Sequence, residues 1–302
     1  SPPLKKALDF ILRAQFPIGA WPQRFPLVGT GYDVLYTFND GVTAGNIALM
    51  REAWRLLADP RYLESARRGA DFIIASQHAG PQYGWGQQIS HDMKLAKARV
   101  YEPASLSTSD TMDNLHCLMD MYEFTGDRRY LEPVPRALDW LDSSIMPDGG
   151  IGTFLEEGTN RALAAKFVGD SGTPESVAIT YNLAEAMGGY GFKRDNFTTK
   201  PARERYARLK NAAWVPPAEP AKSSREADLK RAAGMEKDIR GIIANLDPQG
   251  RWTEDGRMYT KRYCFKNDME YEGPVLKNGW IRTGTFIRNM GRLIEYARLT
   301  GR

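Results

Sequence analysis

One motif returns three times along the chain, and its period limits the folds that the sequence can adopt. An aspartate beside large apolar residues stands at Asp9, Asp71 and Asp139. The second and third copies are preceded by matching leads, Asp-Pro-Arg-Tyr-Leu-Glu at 59–64 and Asp-Arg-Arg-Tyr-Leu-Glu at 127–132. Self-similarity at a period of this size indicates one supersecondary unit that is repeated and stacked.

Apolar residues at helical spacing precede both leads, so each unit is predicted to be helix, short turn, helix and long loop. They are Ile47, Met50, Trp54 and Leu57 before the first lead, and Leu115, Leu118, Met119 and Tyr122 before the second. The first residues resemble the second half of a unit and the last residues resemble a first half, so we expect complementary ends. We predict an all-α fold, a complete or incomplete (α/α) toroid of helical hairpins with long loops at one rim, in a single domain of residues 1–302.

The composition is that of a soluble globular protein, with 42% hydrophobic and 26% charged residues. The net charge of +4 suits an anionic partner without requiring one. No nucleic-acid-binding module, basic stripe or membrane-spanning apolar run occurs, so we expect a protein that binds neither nucleic acid nor membrane. We also expect a monomer. Cys117 and Cys264 lack zinc-type spacing, and a disulfide between them stays open.

A loop from Ala98 to Ser109 has the composition of a functional site, because an arginine, a tyrosine and a carboxylate stand within four residues. Pro103 disfavours helix at Glu102, so we expect Arg99, Tyr101 and Glu102 on an extended segment. The hydroxyl and carboxyl groups at 107–110 offer N-caps for the next helix. An ordinary surface arginine is the alternative interpretation of Arg99.

Two further loops are predicted at the same rim. The first ends in Tyr-Thr-Phe-Asn-Asp-Gly at 36–41, where Asp40 stands at a helix start that an N-cap would also explain. Four cations are predicted to form a floor for carboxylate-bearing substrates: Arg24, Arg99, Arg161 and Lys166. Paired acids for glycoside hydrolysis can be drawn from Asp40, Glu102, Glu156 and Glu157, so a hydrolase remains a rival.

Motifs in this order resemble the family 10 pectate lyases, mainly over residues 4–165. They are Leu-Asp-Phe at 8–10, Trp-Pro-Gln-Arg-Phe-Pro at 21–26, Thr-Phe-Asn-Asp at 37–40, Ala-Arg-Val-Tyr-Glu-Pro at 98–103 and Gly-Thr-Asn-Arg at 158–161. Together these motifs are specific, although any one of them alone would be weak.

The resemblance implies an incomplete α/α toroid that cleaves polygalacturonate, an acidic polysaccharide, by calcium-assisted β-elimination. It implies that Arg99 is the base that removes the C5 proton and that Asp40 takes part in binding Ca2+. A guanidinium normally stays protonated, so a neutral Arg99 needs other cations nearby; electrostatic stabilisation by charged Arg99 is the alternative. Substrate contacts are expected from Arg24, Asn39, Tyr101, Glu102, Arg161 and Lys166.

Two other functions remain open at this stage. One is a glycoside hydrolase on an α/α toroid, and the other is a non-catalytic protein that binds acidic polysaccharide. A polymeric substrate implies a secreted or periplasmic protein, although the given chain shows no signal peptide.

Overall fold

Eight α-helices run through the described residues of the computed structural model. The structure describes residues 2–168, 176–188, 190–216, 224–254, 257–258, 261–264, 269–272, 276–277 and 281–301. The helices are α1 (Pro2–Ala14), α2 (Val42–Leu57), α3 (Pro60–Ala75), α4 (Thr108–Thr125), α5 (Val134–Ser143), α6 (Lys200–Asn211), α7 (Arg225–Ala244) and α8 (Thr283–Thr300).

The repeat predicted from the sequence forms helical hairpins, α2 with α3 and α4 with α5. Helix α2 ends at Ala58, whose left-handed backbone lets its N–H bond the carbonyl of Trp54, and Asp59 then caps α3. Helix α4 ends in the same way at Gly126, and Asp127 caps a short 3-10 turn over Arg128–Leu131 before α5. The predicted order of helix, short turn and helix is confirmed.

Each repeated aspartate forms an ion pair with an arginine of a later element. Asp9 meets Arg61 at 3.3 Å, Asp71 meets Arg129 at 3.6 Å, and Asp139 meets Arg203 on α6 at 2.8 Å. These pairs are largely exposed, so each contributes little to stability. They also show that α6 follows the third copy in the same way as the leads at 59–64 and 127–132 follow the first and second.

Tryptophan indoles mark the loops that follow the second helix of a copy. Trp21 donates to the carbonyl of Ile11 at 3.0 Å, and Trp85 donates to that of Ile73 at 2.7 Å. Trp252 donates to the carbonyl of Ile242 on α7 at 2.7 Å, so the same kind of bond recurs after α7. A buried indole needs a partner for its N–H, so this bond fixes where each loop leaves its helix.

The loops carry short strands. The predicted helices are therefore confirmed, but the chain is not purely all-α. Strands β1 (Tyr36–Thr37), β3 (Gln88–Ile89) and β4 (Leu95–Ala96) form one antiparallel sheet. A five-stranded sheet has the order β2 (Trp85–Gly86), β5 (Leu106–Ser107), β7 (Phe154–Leu155), β8 (Ala162–Phe167) and β9 (Val177–Thr180). Strands β6 (Ile151–Gly152) and β10 (Lys193–Arg194) pair with each other.

The glycine-rich stretch from Gly149 to Pro174 predicts a long loop, and in the structure it holds strands β6, β7 and β8. Its residues 169–174 lie outside the described part of the chain. The sequence Ala-Lys-Ser-Ser at 221–224, followed by Glu226, is a helix start signal and predicts a helix from about Ser224 to Leu246. This helix is confirmed as α7, with Ser224 accepting a hydrogen bond from the N–H of Ala227. The predicted start signal at 221–223 lies outside the described residues.

The chain divides into two compact units. The described residues up to 216 form the first, and those from 224 onwards form the second. The core of the first is built from α2, α3, α4 and α5 around large side chains such as Trp21, Trp85 and Tyr122. In the second, α7 packs on α8, and four strands pair as β11 (Arg257–Met258) with β14 (Leu276–Lys277) and β12 (Lys261–Cys264) with β13 (Met269–Glu272). A single catalytic domain over 1–302 stays a prediction.

Cys117 is a free, buried thiol on α4, and burial raises its pKa to about 12. The side chain of Cys264 lies outside the described residues. Within the part of the chain that the structure describes, none of the helices combines the length and apolar character needed to cross a bilayer.

Candidate active site

Strand pairing joins the three loops that the sequence predicts at one rim. Thr37 of the first loop lies opposite Gln88 of the second in the β1–β3 ladder. Ser107, at the end of the second loop, lies opposite Phe154 of the third in the β5–β7 ladder. Because backbone hydrogen bonds fix these ladders, candidate side chains from loops up to about 120 residues apart in sequence lie on one connected framework.

Asp40, just before α2, has an unusual backbone conformation and does not cap the helix. Its φ is +56°, a left-handed conformation that few non-glycine residues adopt, although aspartate tolerates it better than most. The residue that caps α2 is Gly41, with no side-chain capping bond, so Asp40 does not act as the N-cap that the sequence allowed. Its own N–H is bound by the Asn39 side-chain oxygen at 2.8 Å.

The oxygen atoms beside Asp40 fit a hard cation. The Gln23 amide nitrogen donates to Asp40 Oδ2 at 2.9 Å, and Gln23 Oε1 is buried without a hydrogen-bond partner in the part of the chain that the structure describes. Carboxylate and amide oxygens are the ligands that calcium takes in proteins. The described residues hold no group of three or more His, Cys, Asp or Glu side chains arranged for a metal, so Asp40 and Gln23 would supply only part of a coordination shell.

Arg99 lies in a tight turn and not on the extended segment that the sequence predicts. The N–H of Glu102 bonds the carbonyl of Arg99 at 2.9 Å, and the N–H of Ala98 bonds the carbonyl of Glu102 at 3.2 Å. Pro103 still excludes helix beyond the turn, but the turn satisfies more backbone groups than a strand without a partner would. Ser107 caps α4 as expected, accepting from the N–H of Asp110.

Glu102 is buried, with 1% of its side chain exposed, and it holds Arg99. Its Oε2 accepts from the Arg99 backbone N–H at 2.9 Å, and its Oε1 accepts from Arg99 Nη1 at 2.8 Å. The hydroxyl of Tyr190 also donates to Oε1 at 2.9 Å. The guanidinium of Arg99 lies 5.8 Å from the centre of the Tyr32 ring.

The pKa of Arg99 is raised above its ordinary value. Partial burial by itself lowers the pKa, but the charge of Glu102 and its hydrogen bond outweigh that effect. A base must be neutral before it accepts a proton, so this environment favours the charged role of Arg99 over the role of proton acceptor.

An aromatic cluster supports the turn from the other side. The ring of Tyr190 lies 5.0 Å from that of Tyr101, 4.8 Å from that of Phe192 and 5.9 Å from that of Phe154, measured between centroids. Burial raises the pKa of Tyr101 and of Tyr190. Tyr101, which the resemblance offers as a substrate contact, thus also packs in this cluster.

The four predicted cations differ in their surroundings. Arg24 pairs with Asp33 at 3.0 Å and Lys166 with Glu185 at 2.5 Å, so carboxylates of the chain offset part of the predicted positive floor. The guanidinium of Arg161 lies 3.5 Å from the centre of the Tyr181 ring. No carboxylate within the described residues forms an ion pair with Arg161, which leaves its N–H groups available to an anion.

The acids that a glycoside hydrolase would need have other tasks. Glu156 accepts hydrogen bonds from Thr159 and Tyr181, which lower its pKa, whereas a general acid needs a raised one. Glu102 is buried against Arg99, and Glu157 lies 2.9 Å from His78 Nε2. These surroundings disfavour the hydrolase alternative.

Sequence reasoning missed several residues of this site. Gln23 was part of a recognised motif, but nothing in its type marks it as a partner of Asp40. Tyr32, Tyr181 and Tyr190 are the aromatic partners of Arg99, Arg161 and Glu102. Tyr190 stands 88 residues after Glu102, a separation at which no local pattern predicts contact.

Comparison with known proteins decides the family. The sequence model of a family described as pectic acid lyase matches residues 2–163, which is more than half of the chain. The chain belongs to the pectic acid lyase family. It is therefore a lyase, and pectic acid is the substrate class of its family. The match includes the turns that hold Asp40 and Arg99.

Solved structures support the fold. A family 10 polysaccharide lyase from Cellvibrio cellulosa is similar at 21% identity and a TM-score of 0.55, over 70% of this chain and 72% of that one. A point mutant of a lyase of the same description, solved with trigalacturonic acid, gives 20% identity over the same shares and the same TM-score. A comparison with curated proteins finds no match.

Proposed function

We propose that this pectate lyase cleaves polygalacturonate by calcium-assisted β-elimination at the rim that carries Asp40 and Arg99. One observation supports this most directly: a chain of contacts connects the turn that holds Asp40 with the turn that holds Arg99. The N–H groups of Phe38 and Asn39 both bond the carbonyl of Gln87, at 2.9 and 3.2 Å. The side chain of Gln87 lies close enough to the Tyr190 hydroxyl to lower its pKa, against the larger effect of burial, and that hydroxyl donates to Glu102 beside Arg99.

In this reaction solvent hydroxide takes the C5 proton next to the uronate carboxylate, the C4–O bond breaks and a C4–C5 double bond forms. The leaving oxygen takes a proton from water, which restores the hydroxide. The developing enolate carries negative charge on the carboxylate oxygens, which a fixed guanidinium can stabilise. We assign this role to charged Arg99, because its raised pKa opposes the role of base that the resemblance implies. Removal of the proton by Arg99 would require a neutral guanidinium beside the Glu102 carboxylate, whose charge favours the protonated form.

The substrate-binding residues follow from charge and position. Arg161, over the ring of Tyr181, offers a planar fork to a second uronate carboxylate. Arg24 and Lys166 can bind further carboxylates in exchange for Asp33 and Glu185. Asn39 offers a buried amide nitrogen that has no hydrogen-bond partner among the described residues. A structure of a similar lyase holds trigalacturonic acid, which agrees with an acidic substrate.

Calcium would be held by the Asp40 carboxylate and Gln23 Oε1, with substrate carboxylate and water completing its ligands. When bound, the ion would neutralise uronate charge and acidify the C5 proton. Asp40→Asn keeps a residue that tolerates the left-handed backbone but removes the charge. We expect this variant to need at least about tenfold more calcium for half-maximal rate, as one lost charge contact of roughly 1.4 kcal/mol predicts. An unchanged calcium requirement would remove Asp40 from the metal site.

We also propose that the helices form one (α/α) toroid and one catalytic domain. The hairpins, the three aspartate–arginine pairs and the recurring tryptophan bond, which the second unit repeats at Trp252, support this reading. Since the substrate is a polymer, we propose that the protein acts as a secreted or periplasmic monomer.

Arg99→Ala tests the assignment of the catalytic arginine. Loss of a preorganised charge at the developing enolate predicts a fall in kcat of about 10²–10³-fold, measured by the ultraviolet absorbance of the unsaturated product. Arg13→Ala, at the exposed end of α1, is the matched control and should keep the wild-type rate. Wild-type turnover by Arg99→Ala would show that the chemistry lies elsewhere on the rim.

A further inference from the structure

We propose that Glu102 and Tyr190 are positioning residues, which together fix the guanidinium of Arg99 for the uronate carboxylate. This inference rests on the proposed role of Arg99. It changes the expected role of Glu102, from a substrate contact to a buried support. It also gives a function to Tyr190, which the family motifs matched here do not include.

Glu102 uses both carboxylate oxygens within the protein. Oε2 accepts from the Arg99 backbone N–H, and Oε1 accepts from Arg99 Nη1 and from the Tyr190 hydroxyl. With 1% of its side chain exposed, Glu102 has no surface to offer to a polysaccharide. A buried carboxylate is stable only with hydrogen-bond donors, so Glu102 holds Arg99 Nη1 in place, and Nη1 in turn stabilises the Glu102 carboxylate.

The other edge of the Arg99 guanidinium, formed by Nε and Nη2, is not used by Glu102. Within the described residues, neither Nε nor Nη2 of Arg99 has a hydrogen-bond partner, and 36% of the side chain is exposed. These two nitrogens form the planar fork that binds a carboxylate in a bidentate manner. By occupying Nη1, Glu102 thus leaves a fixed fork for one substrate carboxylate.

Tyr190 is held independently of Arg99, which lets it act as a support. Its ring is packed against Tyr101, Phe154 and Phe192, and Phe154 belongs to β7 of the five-stranded sheet. Its hydroxyl donates to Glu102 near the side chain of Gln87, whose backbone carbonyl accepts from the N–H groups of Phe38 and Asn39. The position of Arg99 is therefore set from two loops and a sheet.

Two variants with conserved shape test this inference. Glu102→Gln keeps the side-chain volume and an oxygen acceptor but removes the charge, and Tyr190→Phe removes only the hydroxyl. Since misplacement by about 1 Å can cost about 10²-fold in rate, we expect kcat to fall by about 10²-fold for Glu102→Gln. For Tyr190→Phe we expect about a tenfold fall, as for one lost hydrogen bond. Asp59→Asn, which neutralises the carboxylate partner of Arg61 and still caps α3, is the matched control with unchanged kcat.

A double-mutant cycle separates positioning from general stability. In an Arg99→Ala background, Glu102→Gln and Tyr190→Phe should lower kcat no further, because the group that they position is absent. The same two losses in both backgrounds would overturn the inference and indicate a structural role. Wild-type kcat in the two single variants, with Arg99→Ala inactive, would overturn it as well. Absence of elimination by the wild-type protein would instead contradict the proposed function.

Discussion

Asp110 is a buried carboxyl group at the start of α4, and its environment differs from that of most acids in proteins. Burial raises its pKa to about 7, against the hydrogen bond from Ser107, and the charges of Asp113 and Asp40 raise it further. Between pH 4 and 7 the folded state therefore binds a proton that the unfolded state releases. The free energy of unfolding should fall as the pH rises through this range.

Asp110→Asn removes that titration while keeping an oxygen that can accept from Ser107. We expect the variant to be more stable than the wild type at pH 8, and the difference to shrink at pH 5, where the wild-type carboxyl is protonated. Melting temperatures at both pH values, measured with chelator so that bound metal does not contribute, check this. An equal difference at the two pH values would show that Asp110 does not titrate in this range.

At the same scale, the sequence predicts which residues lie close together along the chain, but not which distant side chains contact them. Arg99 and Glu102 stand three residues apart, and a proline after them made a non-helical segment certain, so their proximity could be foreseen. The contact between the Arg99 and Glu102 side chains also involves Tyr190, which donates to Glu102, and the burial of Glu102. Those contacts come from distant parts of the chain, and no local pattern encodes them.

At the scale of elements, α2 and α3 approach closely at Gly69. A Cβ at this position would lie 2.7 Å from Ile47 Cγ1 and 2.7 Å from the Trp21 ring, so the glycine permits the contact between the two helices. Gly69→Ala should lower the free energy of unfolding by about 1–3 kcal/mol, because both neighbours are buried and packed.

Gly45→Ala on α2 is the control for this change. No atom of the described residues lies within 4 Å of a Cβ at Gly45, so alanine should raise the free energy of unfolding by about 0.5–1 kcal/mol through its better helix propensity. Urea unfolding of both variants measures the two effects. A stabilising Gly69→Ala would show that α2 and α3 are not packed as closely as described.

The hairpins could be predicted because helices leave a period in the sequence, together with recognisable caps at Asp59 and Asp127. Most strands could not, because β1 to β7 hold two residues each, too few for an alternating pattern. Strand β8, Ala162–Phe167, is longer, but it has three alanines and no regular alternation. Such strands form because loops from successive copies meet.

For the whole molecule, the repeat explains why a helical scaffold can hold an acidic polysaccharide. The helices place their following loops side by side, and strand pairing between those loops brings Asp40, Arg99 and Arg161 into one framework. The family match covers this first part of the chain, and the second unit repeats the tryptophan bond at Trp252.

Ultraviolet absorbance of polygalacturonate incubated with the purified protein tests the central claim most directly. β-Elimination creates a C4–C5 double bond conjugated with the carboxylate, whereas hydrolysis adds water and creates no such absorbance. We predict a rise in absorbance that requires calcium, stops when chelator is added and returns when calcium is restored. Shortened chains without any rise would indicate hydrolysis, and binding without a change in chain length would indicate a non-catalytic protein; either result would contradict the account.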